Sequence, residues 1–228
     1  MKPRVNPART LLILGAGGDL TARLLLPGLG GLLAAGGGDG LLLIGSGADD
    51  WDDGRWREQV KSSFAAAAGS EVDRVAAGAR YERADATAED GLRGLLAICE
   101  EPFVIYFALP PAVTRRVCEA LSRIGVPEST RLVFEKPFGT DLAGARALNR
   151  LVTTIVAEDH IYRVDHFLGM STVLDIVGLR FANRIFEPVL NAEHVAAVDV
   201  VFDEALGLEG RAGYYDGAGA LIDMIQST

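Results

Sequence analysis

A chain of 228 residues, 49% of them hydrophobic and 23% charged, has the composition of a globular protein. It is long enough to bury roughly 70% of its unfolded surface without a disulfide or metal staple. Its formal net charge of −9 argues against nucleic acids and anionic membranes as partners, because both select a basic face. No apolar run approaches the ~20 residues of a membrane span, and the N-terminus lacks the cleavage pattern of a signal peptide. Cys99 and Cys118 have no CxxC or histidine neighbour. They read as reduced core residues of a cytoplasmic protein, and no metal site is expected.

Taken in chain order, Thr10–Leu14 (TLLIL) is a continuous apolar run that ends in glycines, the pattern of a buried parallel strand. Residues 20–35 suit a packed helix closed by Gly36-Gly37-Gly38. A second buried strand follows at 41–44, then a surface helix at 52–68 whose Trp51 and Trp56 serve packing. A strand at 103–109 runs into Pro110-Pro111 and a helix at 112–124. Another strand, 132–135, leads into Lys136-Pro137-Phe138-Gly139 and a helix at 141–152. This alternation predicts an α/β fold of Rossmann type over residues 1–160, a doubly wound parallel sheet covered on both faces. Beyond it lie a short mixed stretch (161–169), a helix (171–181), a long strand (194–205) and a last helix (214–226). One strand and two helices cannot close a domain, since an edge strand needs partners or cover. Residues 161–228 are therefore expected to form a partial α+β domain: either the sequence is truncated or another chain supplies what is missing, and a homo-oligomer is expected. His160 and His194 are expected at the surface.

The loop Gly15-Ala16-Gly17-Gly18-Asp19-Leu20 joins the first strand to the first helix. Glycines allow close approach of a pyrophosphate, and the helix N-terminus offers unpaired N–H groups with partial positive charge. The spacing departs from GxGxxG, so a tight turn without a ligand stands beside dinucleotide binding as a reading. After the second strand come Ser46-Gly47-Ala48-Asp49-Asp50, with no Arg or Lys until Arg55. A carboxylate there accepts from a ribose 2′-OH and repels a 2′-phosphate, which favours NAD. Alternatively, Asp49 or Asp50 caps the next helix, and Asp49, Asp50, Asp52 and Asp53 together form a solvated helix start.

Four segments together resemble the glucose-6-phosphate dehydrogenase family: residues 15–26 (GAGGDLTARLLL), 135–139 (EKPFG), 163–169 (RVDHFLG) and 211–226 (RAGYYDGAGALIDMIQ). The resemblance implies that a nicotinamide cofactor, NAD or NADP, lies on the glycine loop and takes hydride from C1 of a sugar. A histidine base removes the hydroxyl proton, and cationic and hydroxyl side chains hold the phosphate. It implies cofactor contacts from Gly15, Gly17, Gly18, Asp19, Leu20, Asp49 and Pro137. Lys136 would bridge substrate and cofactor, before an X–Pro bond that can be cis. Asp165 would orient the base and His166 contact the phosphate, which makes Asp165, His166 and Lys136 the candidate catalytic residues. Glu204 and Asp223 would join Lys136 and His166 in binding the small-molecule substrate. From the residues alone, Asp165 could instead pair with Arg163 or Arg180.

Departures from the family pattern cluster at charged positions. Phe167 stands for a phosphate-binding tyrosine, Met170 for a phosphate-binding lysine, Leu24 for a lysine of the first helix, and Ala48 for the arginine that clamps a 2′-phosphate. The family's Gln-Asn-His, which supplies the base, here reads Gln226-Ser227-Thr228. Charge-assisted contacts are worth roughly 1.5–3 kcal/mol each, and loss of a general base costs about 10²–10⁴-fold in rate. Glucose-6-phosphate oxidation is therefore expected to be weak or absent. The expectation is a diverged nicotinamide-dependent oxidoreductase acting on a sugar or sugar-phosphate-like alcohol. A cyclase or isomerase of specialised metabolism with an uncharged substrate, and a non-catalytic subunit, remain as alternatives.

Overall fold

The computed structural model describes residues 7–139, 141–199 and 201. Six strands, β1 (Thr10–Leu14), β2 (Leu42–Gly47), β3 (Arg80–Arg83), β4 (Phe103–Phe107), β5 (Arg131–Glu135) and β6 (Ile161–Val164), form one sheet in the order β3-β2-β1-β4-β5-β6. Every pairing is parallel, with Leu12 opposite Ile44 on one side and Ile105 on the other. This is the α/β, Rossmann-type sheet that the continuous apolar runs predict, since parallel strands are buried on both faces.

Alternation along β1 shows how the two faces divide. Leu12 and Leu14 join the core beneath α4 (Glu89–Ala97), α5 (Pro111–Ile124) and α6 (Leu142–Val152), together with Leu92, Val117, Leu121 and Val152. Ile13 points to the other side, into the core under α1 (Leu26–Ala34), α2 (Asp53–Ser63) and α3 (Ser70–Gly78), with Leu29, Val60 and Val75. Trp56 is fully buried in that second core. It lies against β2 at Gly45, where a side-chain Cβ would come within 2.7 Å of the indole. Trp51 stands two residues before α2 and packs on Trp56 and Tyr81, at ring separations of 6.4 and 5.7 Å. Burial pushes the thiols of Cys99 and Cys118 up to about 12, as for inert core cysteines.

Several elements differ from the sequence expectations. The first helix does not run as one α-helix: Thr21–Leu25 winds as a wider π-type turn before α1. The segment β3 escapes sequence reading because Arg80-Tyr81-Glu82-Arg83 buries only Tyr81. Its charges suit a sheet edge, where they discourage pairing with another chain. The helices α3 and α4 flank it. The strand β6 extends the sheet at its other edge, beyond the boundary drawn at residue 160. Ile161 is buried against Leu132, so the first compact unit runs through Val164 and the second begins at Asp165. His160 is half-buried rather than a surface residue. It closes a 3-10 turn (Glu158–His160) that leads into β6, and its Nδ1 is shielded with no hydrogen-bond partner among the described residues.

In the second unit, a 3-10 turn (His166–Gly169) precedes α7 (Ser171–Ala182), which has no buried residue. His194 is exposed. The strand expected over 194–205 does not form across 194–199 and 201. A strand persists only when a neighbour takes its backbone groups, and no described residue pairs with this segment. Residues 202–205 and the helix expected at 214–226 lie outside the described residues. No described helix is long and apolar enough to cross a membrane.

Candidate active site

In the order β3-β2-β1-β4-β5-β6, the chain winds outward in opposite directions from the β1–β4 boundary. Open α/β sheets bind ligands in the crevice beyond the carboxyl ends of strands at such a switch point. The glycine loop leaves β1 there. Gly15 and Ala16 donate to the Ser46 carbonyl at 2.9 and 3.0 Å. The Gly15 carbonyl accepts from Gly18 N and from the Thr21 hydroxyl, both at 3.1 Å, and these bonds tighten the turn into the helix. Gly15 has φ +88, and a Cβ on it would lie 2.1 Å from the Ala108 carbonyl oxygen. Only glycine supports that close approach of loop to β4. Gly17, Gly18 and Asp19 are exposed and Leu20 is half-buried. Gly15, Ala16 and Gly18 N–H already donate within the protein, so an anion would be met by the N–H groups of the first helical turn beyond them.

Asp49 is brought to this loop by β2. A Cβ on Gly17 would lie 2.2 Å from Asp49 Oδ2, so the carboxylate lies directly over the glycine. The four neighbouring aspartates do not act as one solvated helix start. Asp52 caps α2, accepting from Arg55 N at 2.8 Å, a bond worth about 1 kcal/mol. Asp53 accepts from Tyr81 N at 2.7 Å and pairs with Arg57 at 3.1 Å. Asp50 pairs with Arg83 at 2.8 Å. Asp49 caps no helix among the described residues, and its carbonyl accepts from the Tyr81 hydroxyl at 3.3 Å. Burial, and then the Asp49 charge, raise the Tyr81 hydroxyl pKa.

Beside the loop opens a cleft of about 530 Å³ walled by Gly15, Ser46, Gly47, Ala48, Arg83, Asp85, Thr87 and Leu109. Ser46 is buried and its Oγ has no hydrogen-bond partner among the described residues. Asp85 accepts from the Thr87 hydroxyl and backbone N at 2.7 and 2.9 Å, bonds that hold its carboxyl below its ordinary pKa. None of Arg83, Asp85 and Thr87 was singled out from sequence. They arrive on β3 and the turn after it, where no apolar pattern marks a strand.

Across the switch point, β5 carries Glu135 into Lys136-Pro137, whose peptide bond is cis. Lys136 and Pro137 line a small cavity with Phe107, Leu109, Thr114 and Phe138. Leu109 therefore belongs to both hollows. Glu135 Oε1 accepts from the Tyr106 hydroxyl, and burial followed by this bond raises the Tyr106 pKa.

The structure thus gathers Gly15, Gly17, Gly18, Asp19, Leu20 and Asp49 around one loop, with Lys136 and Pro137 at the end of β5. Asp165 directly follows β6 in the chain and is half-buried in the second unit, and His166 opens its 3-10 turn. Arg163 bonds Glu158 at 2.8 Å, and also Asn149. Arg180 lies over the Phe181 ring at 5.0 Å. Leu24 is 64% and Met170 45% exposed. Glu204, Asp223 and Thr228 lie outside the described residues.

Residues 12–175 match glucose-6-phosphate dehydrogenase, NAD binding domain, and residues 177–228 match the C-terminal domain of the same enzyme. The chain belongs to the glucose-6-phosphate dehydrogenase family. It is 36% identical over 240 residues to glucose-6-phosphate 1-dehydrogenase of Bacillus subtilis, a match that covers 100% of this chain and 49% of that enzyme. Glucose-6-phosphate 1-dehydrogenase 2 of Mycobacterium tuberculosis is 34% identical over 249 residues, covering 99% and 48%. A glucose-6-phosphate dehydrogenase solved in complex with its substrate superposes with a TM-score of 0.81 at 31% identity, covering 97% of this chain and 49% of that one. The enzyme from Mycobacterium avium gives 0.79 at 29% identity, covering 96% and 49%. The chain spans about half the length of the glucose-6-phosphate dehydrogenases it matches.

Proposed function

We propose that this family member binds NAD or NADP on the Gly15–Leu20 loop and takes part in oxidising a sugar or sugar-phosphate-like alcohol, with little native activity on glucose-6-phosphate. The observation that carries this reading is the glycine loop at the β1–β4 switch point with the Asp49 carboxylate laid against Gly17. The donor set fits a dinucleotide. Gly17 and Gly18 are exposed on the loop with no side chain in the way, and the buried Ser46 hydroxyl on the cleft wall has no hydrogen-bond partner among the described residues. Once bound, the nicotinamide supplies a hydride acceptor.

The chain's own residues would do the rest. N–H groups at the start of the helix after the loop would hold the pyrophosphate, and Asp49 would accept from a ribose hydroxyl. Lys136 would bridge cofactor and substrate, and Pro137 would contact the cofactor. Asp165 would orient a base, His166 would contact the phosphate of a sugar-phosphate-like substrate, and Glu204 and Asp223 would accept from its hydroxyls. Weak glucose-6-phosphate activity follows from Phe167, Met170, Leu24 and Ala48 at positions where the family carries a tyrosine, lysines and an arginine, and from Thr228 where it carries the base.

Calorimetric titration of the purified chain with NAD⁺ and NADP⁺ tests the cofactor reading, with micromolar binding expected. No binding up to millimolar would overturn it. Robust turnover of glucose-6-phosphate with either cofactor would overturn the substrate reading.

A further inference from the structure

We propose that the Arg83–Asp50 ion pair sets the choice between NAD and NADP, with Arg83 receiving the 2′-phosphate of NADP when Asp50 releases it. The inference rests on the cofactor reading above. Arg83 lies 33 residues along the chain from the Asp50 carboxylate that it meets. Arg83 ends β3 opposite Gly47 in the register, which sets its backbone beside the last residue of β2. That end of β2 is where a dinucleotide's adenosine ribose is read. The arginine shares the cleft wall with Ser46, Gly47 and Ala48. At Ala48 the side chain is a methyl group, and it supplies no charge.

The pair is built to exchange. Arg83 Nη1 meets Asp50 Oδ1 at 2.8 Å, with side chains 59% and 93% exposed. An ion pair so open to water is weak, whereas a phosphate takes a guanidinium through two parallel hydrogen bonds and carries more charge than a carboxylate. NAD, which has no 2′-phosphate, leaves the pair intact. NADP must take Arg83 from Asp50 and also tolerate Asp49, whose carboxylate lies between Gly17 and Gly47. Arg83 thus stands against Asp49 and Asp50, with Asp85 on the same cleft wall, and removing Asp50 shifts that balance towards NADP.

The experiment is a calorimetric titration of the full chain and its Arg83→Ala and Asp50→Asn variants with NAD⁺ and NADP⁺. The NAD⁺ titration shows in each case that the cleft is intact. Arg83→Ala should weaken NADP⁺ about tenfold, equivalent to ~1.4 kcal/mol, and leave NAD⁺ within about twofold. Asp50→Asn should tighten NADP⁺ severalfold with NAD⁺ again unchanged. Equal losses for both cofactors in Arg83→Ala, or an unaltered NADP⁺ affinity in both variants, would overturn the inference while the cofactor reading stands. NAD⁺ binding with no detectable NADP⁺ binding, in the parent chain and in Asp50→Asn alike, would do the same. Absence of binding by either cofactor to the parent chain would bring down both.

Discussion

Gly15 and Gly17 stand two residues apart in one loop, yet a methyl group would meet different obstacles at each. At Gly15 the backbone has φ +88 and the obstacle is the Ala108 carbonyl oxygen, 2.1 Å from a Cβ. Main chain leaving the end of a central strand cannot move aside cheaply, and the left-handed conformation adds strain of about 1 kcal/mol or more. At Gly17 the obstacle is the Asp49 carboxylate, the free end of a side chain that can rotate away. Gly15→Ala is therefore expected to lower the denaturant midpoint and cofactor affinity together. Gly17→Ala should leave the midpoint close to that of the parent and weaken dinucleotide binding. Chemical unfolding beside calorimetric titration separates the two cases. A Gly15→Ala variant with parental stability would mean that the loop is not held against β4 as described.

At the scale of elements, α3 shows how an ion pair anchors a helix to the sheet it covers. Glu71 in its first turn accepts from Gly40 N at 2.9 Å and pairs with Arg74 at 2.5 Å, and Arg74 in turn donates to the Leu41 carbonyl at 3.0 Å. The pair holds the entry to β2. The hydrogen bond from Arg74 is the chief cause of a Glu71 carboxyl pKa below its ordinary value. A carboxylate with a lower pKa in the folded chain contributes stability that is fully present above its unfolded value of about 4.3. That contribution is lost as the pH falls through the folded value. Glu71→Gln is thus expected to unfold at lower denaturant concentration than the parent at pH 7, and the two midpoints should converge as the medium is made strongly acidic. Urea titrations at pH 7, 5 and 3 read this directly, and a gap that widens in acid would refute it. The same scale shows where local pattern falls short. The four apolar residues that follow Thr10 in β1 announce a buried strand, whereas the edge strand β3 offers one buried residue in four.

For the molecule as a whole, the decisive boundary is the one between Val164 and Asp165. The sheet is complete only with β6, whose Ile161 is 7% exposed and covers Leu132 in the core. A fragment ending at Val164 should fold with the parallel sheet intact and keep nucleotide binding. A fragment ending at His160 should be less stable by about 2 kcal/mol or more, since it loses one buried Ile and leaves β5 at the edge. Melting midpoints by circular dichroism compare the two. Equal stability would show that β6 adds nothing to the first unit.

What the sequence by itself determined is what depends on neighbours in the chain. Continuous apolar runs marked four of the six strands as buried and parallel, glycines marked the loop after β1, and four short segments carried the family resemblance. What only the tertiary structure decided depends on groups far apart in sequence. Asp50 and Arg83 meet at 2.8 Å across 33 residues, so the absence of a cation near Asp49 in the sequence did not mean its absence from the cleft. Four adjacent aspartates took four separate tasks because α2, β3 and the glycine loop each presented a different donor or surface to them. Burial is written into hydropathy because each residue contributes its own transfer free energy. An ion pair or the edge of a sheet is a property of two segments at once, and it exists only after the chain has brought them together.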